Sequence, residues 1–168
     1  LGLTPAAVQE YMPWVEEGFA RAQAKGMDKG FHNFEIVASA HVEIDEDVQG
    51  ALDRLKPEVA LYVGGMGHKN KNFHKEMMVR RGFGDAADRI QELFLAGHKK
   101  EASAAVPDEW VDEKSLVGPA SRIKARYKRW EDIGLASLTV RTKQDEAVEV
   151  MAEAARLNAD DGADIIDI

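Results

Sequence analysis

The stretch FEIVASAHVEI, residues 34–44, decides which fold class this chain belongs to. Its residues alternate between two faces with the period of two that is characteristic of a β-strand. One face carries mostly polar side chains, among them His41 and Glu43. The other face is entirely apolar and consists of Phe34, Ile36, Ala38, Ala40, Val42 and Ile44. We therefore predict a half-buried strand over 34–44.

Helical patterns lie on both sides of this strand. Thr4 followed by Pro5 is typical of a helix start, and a second helix is predicted over about 45–63. Because proline lacks the backbone N–H and crowds the preceding turn, Pro13 and Pro57 are expected to kink or divide these helices. Further helices are predicted at about 70–81, 84–97, 107–114 and 144–158, and directly after Gly118-Pro119.

Two other segments have the composition of strands. ASLTV, residues 136–140, is typical of a short buried strand, and GADIIDI, residues 162–168, has a similar apolar character. Strands separated by helices are typical of parallel β/α units, so the sequence predicts an α/β fold. The chain between 34–44 and 136–140 is far longer than a usual crossover, which indicates a mostly helical insertion.

The composition narrows the class of protein. With 168 residues, 45% hydrophobic and 31% charged, the chain is typical of one globular domain. No apolar run approaches the roughly 20 residues that span a bilayer, and the absence of cysteine fits a cytoplasmic location. The net charge of −8 argues against nonspecific nucleic-acid binding, although 68–81 and 122–129 are locally basic and could accept an anionic ligand. Both ends are expected to be cut, since the chain starts at Leu1 and stops at Ile168 within an apolar run.

The densest run of unusual residues is YVGGMGHKNKNF, residues 62–73. Its three glycines permit positive φ angles and close approach of the backbone, so their N–H groups could converge on an oxyanion. The run matches neither of the common phosphate-loop motifs, and it follows a predicted helix rather than a strand. Two interpretations stay open at this point: a helix end followed by a turn, or a loop that binds a phosphate or substrate.

The five histidines are the other candidate functional residues. No two of them have the i, i+4 spacing of a helical metal site, and no HExxH motif occurs, so no metal site is predicted. His41 lies near the carboxyl end of the predicted strand, the end that faces the active site in α/β barrels. It could contribute to a site there, or it could simply pair with Glu43 or point into the core.

Several long motifs in a fixed order resemble one known family. They are TPAAVQEYMPWVEEGFARA, LYVGGMG followed by KNF, AADRIQELFLAG, AAVPDE and SLVGP, and the similarity covers about residues 1–155. These residues resemble the C-terminal half of the bacterial-luciferase-like superfamily, and within it the oxidoreductases that use the deazaflavin coenzyme F420.

The resemblance implies a fold, a cofactor and a class of reaction. It implies a partial (β/α)8 TIM barrel, a single domain over 1–168, in which 57–115 is a helical insertion above the mouth of the barrel. Coenzyme F420, or alternatively FMN, would bind at the carboxyl ends of the strands. Hydride transfer to or from a small organic substrate would follow, or monooxygenation with reduced FMN. A homo-oligomer is expected.

The resemblance also indicates where a ligand would bind. The candidate cofactor-binding or lid-forming residues are Gly64, Gly65, Gly67, His68 and Lys69, together with His41 at the strand end. No catalytic residue is assigned, because the N-terminal half of the family has no counterpart in this chain.

Other readings remain. Residues 150–168 resemble a helix-strand unit of the tRNA-dihydrouridine synthases, which are also flavin-dependent barrels, and a fusion is one explanation. An RNA-linked enzyme is disfavoured by the net charge of −8. The alternative of a different class is a non-catalytic half-barrel that self-associates by pairing exposed strand edges with a second copy.

Overall fold

The structure of the protein is a computed structural model that describes residues 3–68 and 71–156, with the side chain of Gln9 excepted. The chain divides into two compact units, one formed by Leu1–Glu46 with Glu113–Ile168 and the other by Asp47–Asp112. The helical insertion that the resemblance implies at 57–115 stays a prediction. In the described ranges no helix combines the length and the apolar character needed to cross a membrane.

The helices and strands follow one another in a mostly helical chain. A short 3-10 helix, Phe31–Asn33, precedes the first strand. The strands are β1 (Val37–Ile44), β2 (Ser115–Gly118) and β3 (Ser137–Arg141). The helices are α1 (Pro5–Gln23), α2 (Val48–Gly65), α3 (Phe73–Arg80), α4 (Gly84–Leu95), α5 (Lys99–Ala104), α6 (Asp108–Glu113), α7 (Ala120–Glu131) and α8 (Asp145–Arg156).

The first unit contains a three-stranded parallel sheet in the order β2-β1-β3. The expected α/β class is therefore confirmed. In register, His41 lies opposite Ser115 on one side and Arg141 on the other. The strand that comes first in the chain lies in the centre, whereas neighbouring strands of a (β/α)8 barrel follow one another in sequence. The three strands are thus not arranged as a consecutive arc of such a barrel.

One face of this sheet forms the core of the first unit. Ala38, Ala40 and Val42 are buried on that face, as the alternation in 34–44 predicts. The core cluster also contains Leu116 of β2, Ile123 and Trp130 of α7, and Ala147, Val150 and Met151 of α8. Side chains on the opposite face of β1 are more exposed, and Val37 at its start is 51% exposed. Parallel sheets usually have both faces covered.

Both prolines expected to divide helices lie inside continuous ones. Pro13 lies within α1, and Pro57 lies within α2. Both side chains are exposed, so neither ring disturbs the buried side of its helix. Each proline removes one backbone hydrogen bond. In α2 the burial of residues on both sides of the proline, such as Leu52 and Val59, holds the helix together.

Other differences from the predicted elements are local. The segment before Gly118-Pro119 forms β2, a strand that was not predicted because its four residues are all buried and show no alternation. The predicted helix at 107–114 corresponds to α6, but α5 was not predicted. The strand predicted at 162–168 lies outside the described residues.

Candidate functional site

The carboxyl half of β1 presents a histidine and a carboxylate side by side. His41 Nε2 lies 3.1 Å from Glu43 Oε2, and the two side chains are 29% and 21% exposed. Residues two apart on a strand share a face, and the registered neighbour of His41 on β3 is Arg141, so the guanidinium belongs to the same face. The pairing of His41 with Glu43, one of the alternatives that the sequence leaves open, is thus present. A histidine beside a carboxylate can hold or pass a proton.

The end of β1 is also held by a side chain from the connection after β3. Gln144 Nε2 donates to the carbonyl oxygen of Ile44 at 3.0 Å, and the N–H of Ile44 donates to Gln144 Oε1 at 2.7 Å. On the other side, the N–H of Asp45 donates to the carbonyl oxygen of Gly118 at 3.2 Å. The carboxyl end of the central strand is therefore held on one side by β2 and on the other by the connection after β3.

The second unit contains the glycine-rich run, and its first two glycines serve helix packing. Gly64 and Gly65 are the last residues of α2 and lie against Phe94 of α4. A β-carbon on Gly64 would come within 2.8 Å of Phe94 Cγ and 3.2 Å of the Ile90 carbonyl oxygen. The first of these distances is shorter than real β-carbons essentially ever show, so the absence of side chains here permits close contact between α2 and α4.

The third glycine begins a tight turn, here called loop 66–72. Gly67 has a φ of +101°, a value that glycine adopts far more readily than other residues. The N–H of Lys71 donates to the carbonyl oxygen of His68 at 2.9 Å, which closes the turn. His68 is exposed, whereas Lys69 lies outside the described residues. This geometry agrees with the helix-end interpretation, and a ligand-binding role for these residues stays a prediction.

Asn72 fastens loop 66–72 to both adjoining helices, and sequence reasoning missed it. Its side chain is buried, and Nδ2 donates to the carbonyl oxygens of Tyr62 at 2.9 Å and Val63 at 2.8 Å. Its Oδ1 accepts the N–H groups of His74 at 3.0 Å and Lys75 at 3.2 Å. Asn72 thus caps the end of α2 and the start of α3 together. The signal in the sequence was an asparagine directly before a helical pattern.

Aromatic rings lie beside this loop. The ring centroid of His74 is 4.7 Å from that of Tyr62 and 4.1 Å from that of Phe73. Phe73 is 55% exposed and Met66 is 45% exposed. An exposed aromatic ring beside loop 66–72 can stack on a flat ligand or contact an apolar ligand.

A buried lysine, Lys56, joins two aspartates in a charge cluster of the second unit. Lys56 Nζ lies 2.6 Å from Asp53 Oδ1 and 2.6 Å from Asp108 Oδ1, and Gln49 also donates to both carboxylates. Hydrogen bonds from Lys56 and Gln49 hold the pKa of each aspartate below its usual value. Burial alone would lower the pKa of Lys56, but its hydrogen bonds to the two aspartates outweigh burial and raise it. The cluster ties α2 to α6.

The structure places the sequence-predicted site residues in two groups. Gly64, Gly65, Gly67 and His68 come together at the end of α2, in the second unit, and His41 belongs to the sheet of the first. Among the described residues no group of three or more His, Cys, Asp or Glu side chains is arranged to hold a metal ion.

Comparison with known proteins identifies the family. The family model of the luciferase-like monooxygenases matches residues 1–137, so the chain belongs to that family, as its motifs predict. A relative from Mycobacterium tuberculosis (strain ATCC 25618 / H37Rv), provisionally named a coenzyme F420-dependent oxidoreductase, is 36% identical over 149 residues. The match covers 89% of this chain and 42% of the relative, so the chain spans less than half the length of that protein.

Solved structures share the fold. The coenzyme F420-dependent tetrahydromethanopterin reductase from Methanopyrus kandleri has a TM-score of 0.63 at 20% identity, over 90% of this chain and 42% of the reductase. An F420-dependent secondary alcohol dehydrogenase, solved with an F420-acetone adduct, has a TM-score of 0.54 at 13% identity, over 89% of this chain and 38% of the dehydrogenase. At these identities the likeness concerns the fold alone. The segment at 150–168 that resembles tRNA-dihydrouridine synthases lies mostly outside the described residues.

Proposed function

We propose that this chain is part of a coenzyme F420-dependent oxidoreductase that transfers hydride to or from a small organic substrate. The observation that carries the proposal is the 36% identity over 149 residues to a relative named for that cofactor. Two solved structures with the same fold, both described as F420-dependent, support it. FMN remains the alternative cofactor, and it would make the reaction a monooxygenation.

The proposal includes the architecture of the complete protein. We infer a cytoplasmic enzyme in which this chain supplies part of a (β/α)8 barrel, with 57–115 as a helical insertion. The parallel β/α arrangement and the family membership support this inference. The central position of β1 differs from the strand order of a barrel, so completion of a barrel would require β3 to pair elsewhere.

The residues at the carboxyl end of the sheet fit a ligand that carries polar and anionic groups. When bound, F420 would supply or accept the hydride. The His41–Glu43 pair would hold or release the accompanying proton, since the two side chains are within hydrogen-bonding distance. Arg141, in register beside His41, would contribute a fixed positive charge toward an anionic group.

Loop 66–72 is proposed to contribute separately. Its exposed His68 and the adjacent Lys69 would offer hydrogen bonds and positive charge to an anionic ligand, and Gly67 would let the backbone turn beneath them. Gly64 and Gly65 would act indirectly, because their contact with Phe94 fixes the end of α2 from which the loop leaves.

The test is a fluorescence-anisotropy titration of F420 with the purified chain, with FMN titrated alongside. We expect a saturable rise with F420 and none with FMN. His41→Ala should weaken F420 binding by about tenfold, the loss expected for one or two hydrogen bonds to a charged ligand. His32→Ala is the matched control, since His32 is exposed and pairs with Asp28 in the segment before β1. Failure of the chain to bind either cofactor would move the cofactor site out of it and contradict the proposal as stated.

One observation favours a second candidate function, a non-catalytic module that self-associates. The face of β1 that carries Val37 and Ser39 is exposed, although parallel sheets usually have both faces covered. A second copy could cover this face. Analytical ultracentrifugation distinguishes the two candidates: a discrete oligomer without F420 binding supports the module, and F420 binding supports the enzyme.

A further inference from the structure

We propose that Gln144 is a positioning residue that sets the place of the His41–Glu43 pair by completing the hydrogen bonding of β1 with its side-chain amide. The inference rests on the proposed function only where ligand binding is concerned. Its geometric part concerns residues whose contacts are all within the first unit.

The amide of Gln144 acts as one further residue of β3. The ladder between β1 and β3 stops at His41 opposite Arg141, after which β3 ends, while β1 continues to Ile44. Beyond that point the Gln144 side chain hydrogen-bonds both backbone groups of Ile44. It donates to the carbonyl oxygen at 3.0 Å and accepts from the N–H at 2.7 Å. A neighbouring strand would satisfy the same two groups in the same way.

Gln144 is suited to this role because its own backbone is fixed. Its N–H donates to Thr142 Oγ1 at 3.1 Å, and its carbonyl oxygen accepts the N–H of Ala147 at 3.2 Å. It directly precedes α8, whose buried residues Ala147, Val150 and Met151 pack into the core of the unit. The side chain therefore starts from a rigid point and can hold Ile44 without much loss of its own freedom.

Fixing Ile44 also fixes the candidate site, because Ile44 is next to Glu43 in the chain. Ile44 is the residue after Glu43, and on its far side Asp45 is held by the carbonyl oxygen of Gly118. With the backbone fixed on both sides, the carboxylate of Glu43 stays within 3.1 Å of His41 Nε2. Without the amide of Gln144, the last residues of β1 would be held from the β2 side alone, and the pair would lose its fixed distance.

The test uses two variants of the whole chain and a matched control. Gln144→Met keeps the length of the side chain and removes both hydrogen bonds. In Gln144→Glu a protonated carboxyl can donate and accept as the amide does, whereas an ionised carboxylate can only accept. Gln23→Met is the control, because Gln23 is exposed and donates to the Lys29 carbonyl oxygen at the end of α1. Each variant is compared with wild type at the same pH, because the neighbouring Glu43, Asp45 and His41 are present in both.

Three readouts are measured: exchange of the Ile44 amide hydrogen, the NMR signals of the His41 ring, and F420 affinity. We expect Gln144→Met to speed Ile44 exchange by about tenfold or more, to shift or broaden the His41 ring signals, and to weaken F420 binding. Gln144→Glu should resemble Gln144→Met at neutral pH and return toward wild type in acid. Gln23→Met should leave all three readouts unchanged.

The outcomes separate this inference from the proposed function. If the Ile44 exchange and the His41 signals of Gln144→Met match those of wild type, the positioning role is wrong. If those signals change while F420 affinity does not, Gln144 positions the pair, but the pair does not contact F420. If Gln144→Met fails to fold, Gln144→Glu provides the test instead. If its Ile44 exchange and His41 signals do not return toward wild type in acid, the inference is wrong.

Discussion

The side chain of Phe94 lies directly over Gly64, so that α4 packs against bare backbone at the end of α2. Gly64→Ala is therefore expected to lower the free energy of unfolding. Overpacking costs about 1–3 kcal/mol and the gain in helix propensity returns about 1 kcal/mol, so we expect a net loss of up to about 2 kcal/mol. Urea unfolding followed by circular dichroism measures it.

Gly18→Ala is the matched control for this substitution. Gly18 also lies inside a helix, but no atom comes within 4 Å of the position its β-carbon would occupy. We expect a gain of about 0.5–1 kcal/mol, since alanine is the better helix former. If the two alanine variants were equally stable, close packing would not be the reason for glycine at position 64.

Asn72→Asp tests whether one side chain joins α2 to α3. The substitution keeps the acceptor for the N–H groups of His74 and Lys75, but it removes the donor to Tyr62 and Val63. Two buried carbonyl oxygens would then face a carboxylate, and we expect a loss of about 1–3 kcal/mol in the free energy of unfolding. Thermal melts at neutral pH measure the loss.

The same substitution at Asn33 provides the comparison. The amide of Asn33 also donates to a carbonyl oxygen, that of Asp28 at 2.7 Å, but this residue is exposed and water can replace the bond. We expect Asn33→Asp to cost less than about 1 kcal/mol. An equal cost at both positions would mean that burial of Asn72 is not what makes its hydrogen bonds matter.

The ion pairs of Lys56 with Asp53 and Asp108 make the stability of the second unit depend on pH. The pKa values of Asp53 and Asp108 are lowered by their hydrogen bonds to Lys56 and Gln49, so their stabilising contribution is present above the unfolded pKa of about 3.9. It is lost as the pH falls through the lower pKa of the folded state. Lys56→Met should therefore destabilise the protein at neutral pH, and its difference from wild type should shrink below about pH 4.

Lys124→Met controls for the loss of a charge. Lys124 pairs with Glu153 at 2.7 Å, with side chains that are 30% and 60% exposed. Exposed pairs contribute little, so we expect only a small change in the free energy of unfolding. Unfolding free energies across about pH 3–7 provide the measurement. A difference between Lys56→Met and wild type that stays constant down to the lowest pH would contradict the assignment.

Lys69→Ala tests the ligand-binding role of loop 66–72. Loss of one positive charge is expected to weaken binding of an anionic ligand by about fivefold, equivalent to about 1 kcal/mol. The effect should decrease as salt is added, because salt screens electrostatic attraction. F420 titrations at two salt concentrations measure it. Lys100→Ala in α5 is the control. Equal F420 affinities for both variants and wild type would contradict a ligand-binding role for Lys69.

Much of the first unit could be predicted from the sequence because burial leaves a pattern. β1 is buried on one face, so its residues alternate, and the pairing of His41 with Glu43 follows from their sharing a face. β2 is buried on both faces and is four residues long, so it shows no alternation. Its place beside β1 depends on contacts across about 75 residues of chain.

The residues that fasten the candidate sites were beyond sequence reasoning. Gln144 meets Ile44 from 100 positions away, and no local pattern marks an amide for that purpose. Asn72 could be predicted as a helix cap, but its two bonds back to α2 depend on how loop 66–72 folds. The role of Gly64 and Gly65 required the position of Phe94, which only tertiary packing fixes.

The pairing of β1 with β3 has a consequence for the order of folding during synthesis. The second unit is one continuous segment, Asp47–Asp112, so its helices can pack while the rest of the chain is still on the ribosome. β1 is made before this segment, whereas its partners at 115–118 and 137–141 are made after it. Until β2, α7 and α8 have been made, Ala40 and Val42 lack the residues that bury them in the folded protein, so β1 is a segment that a chaperone would protect.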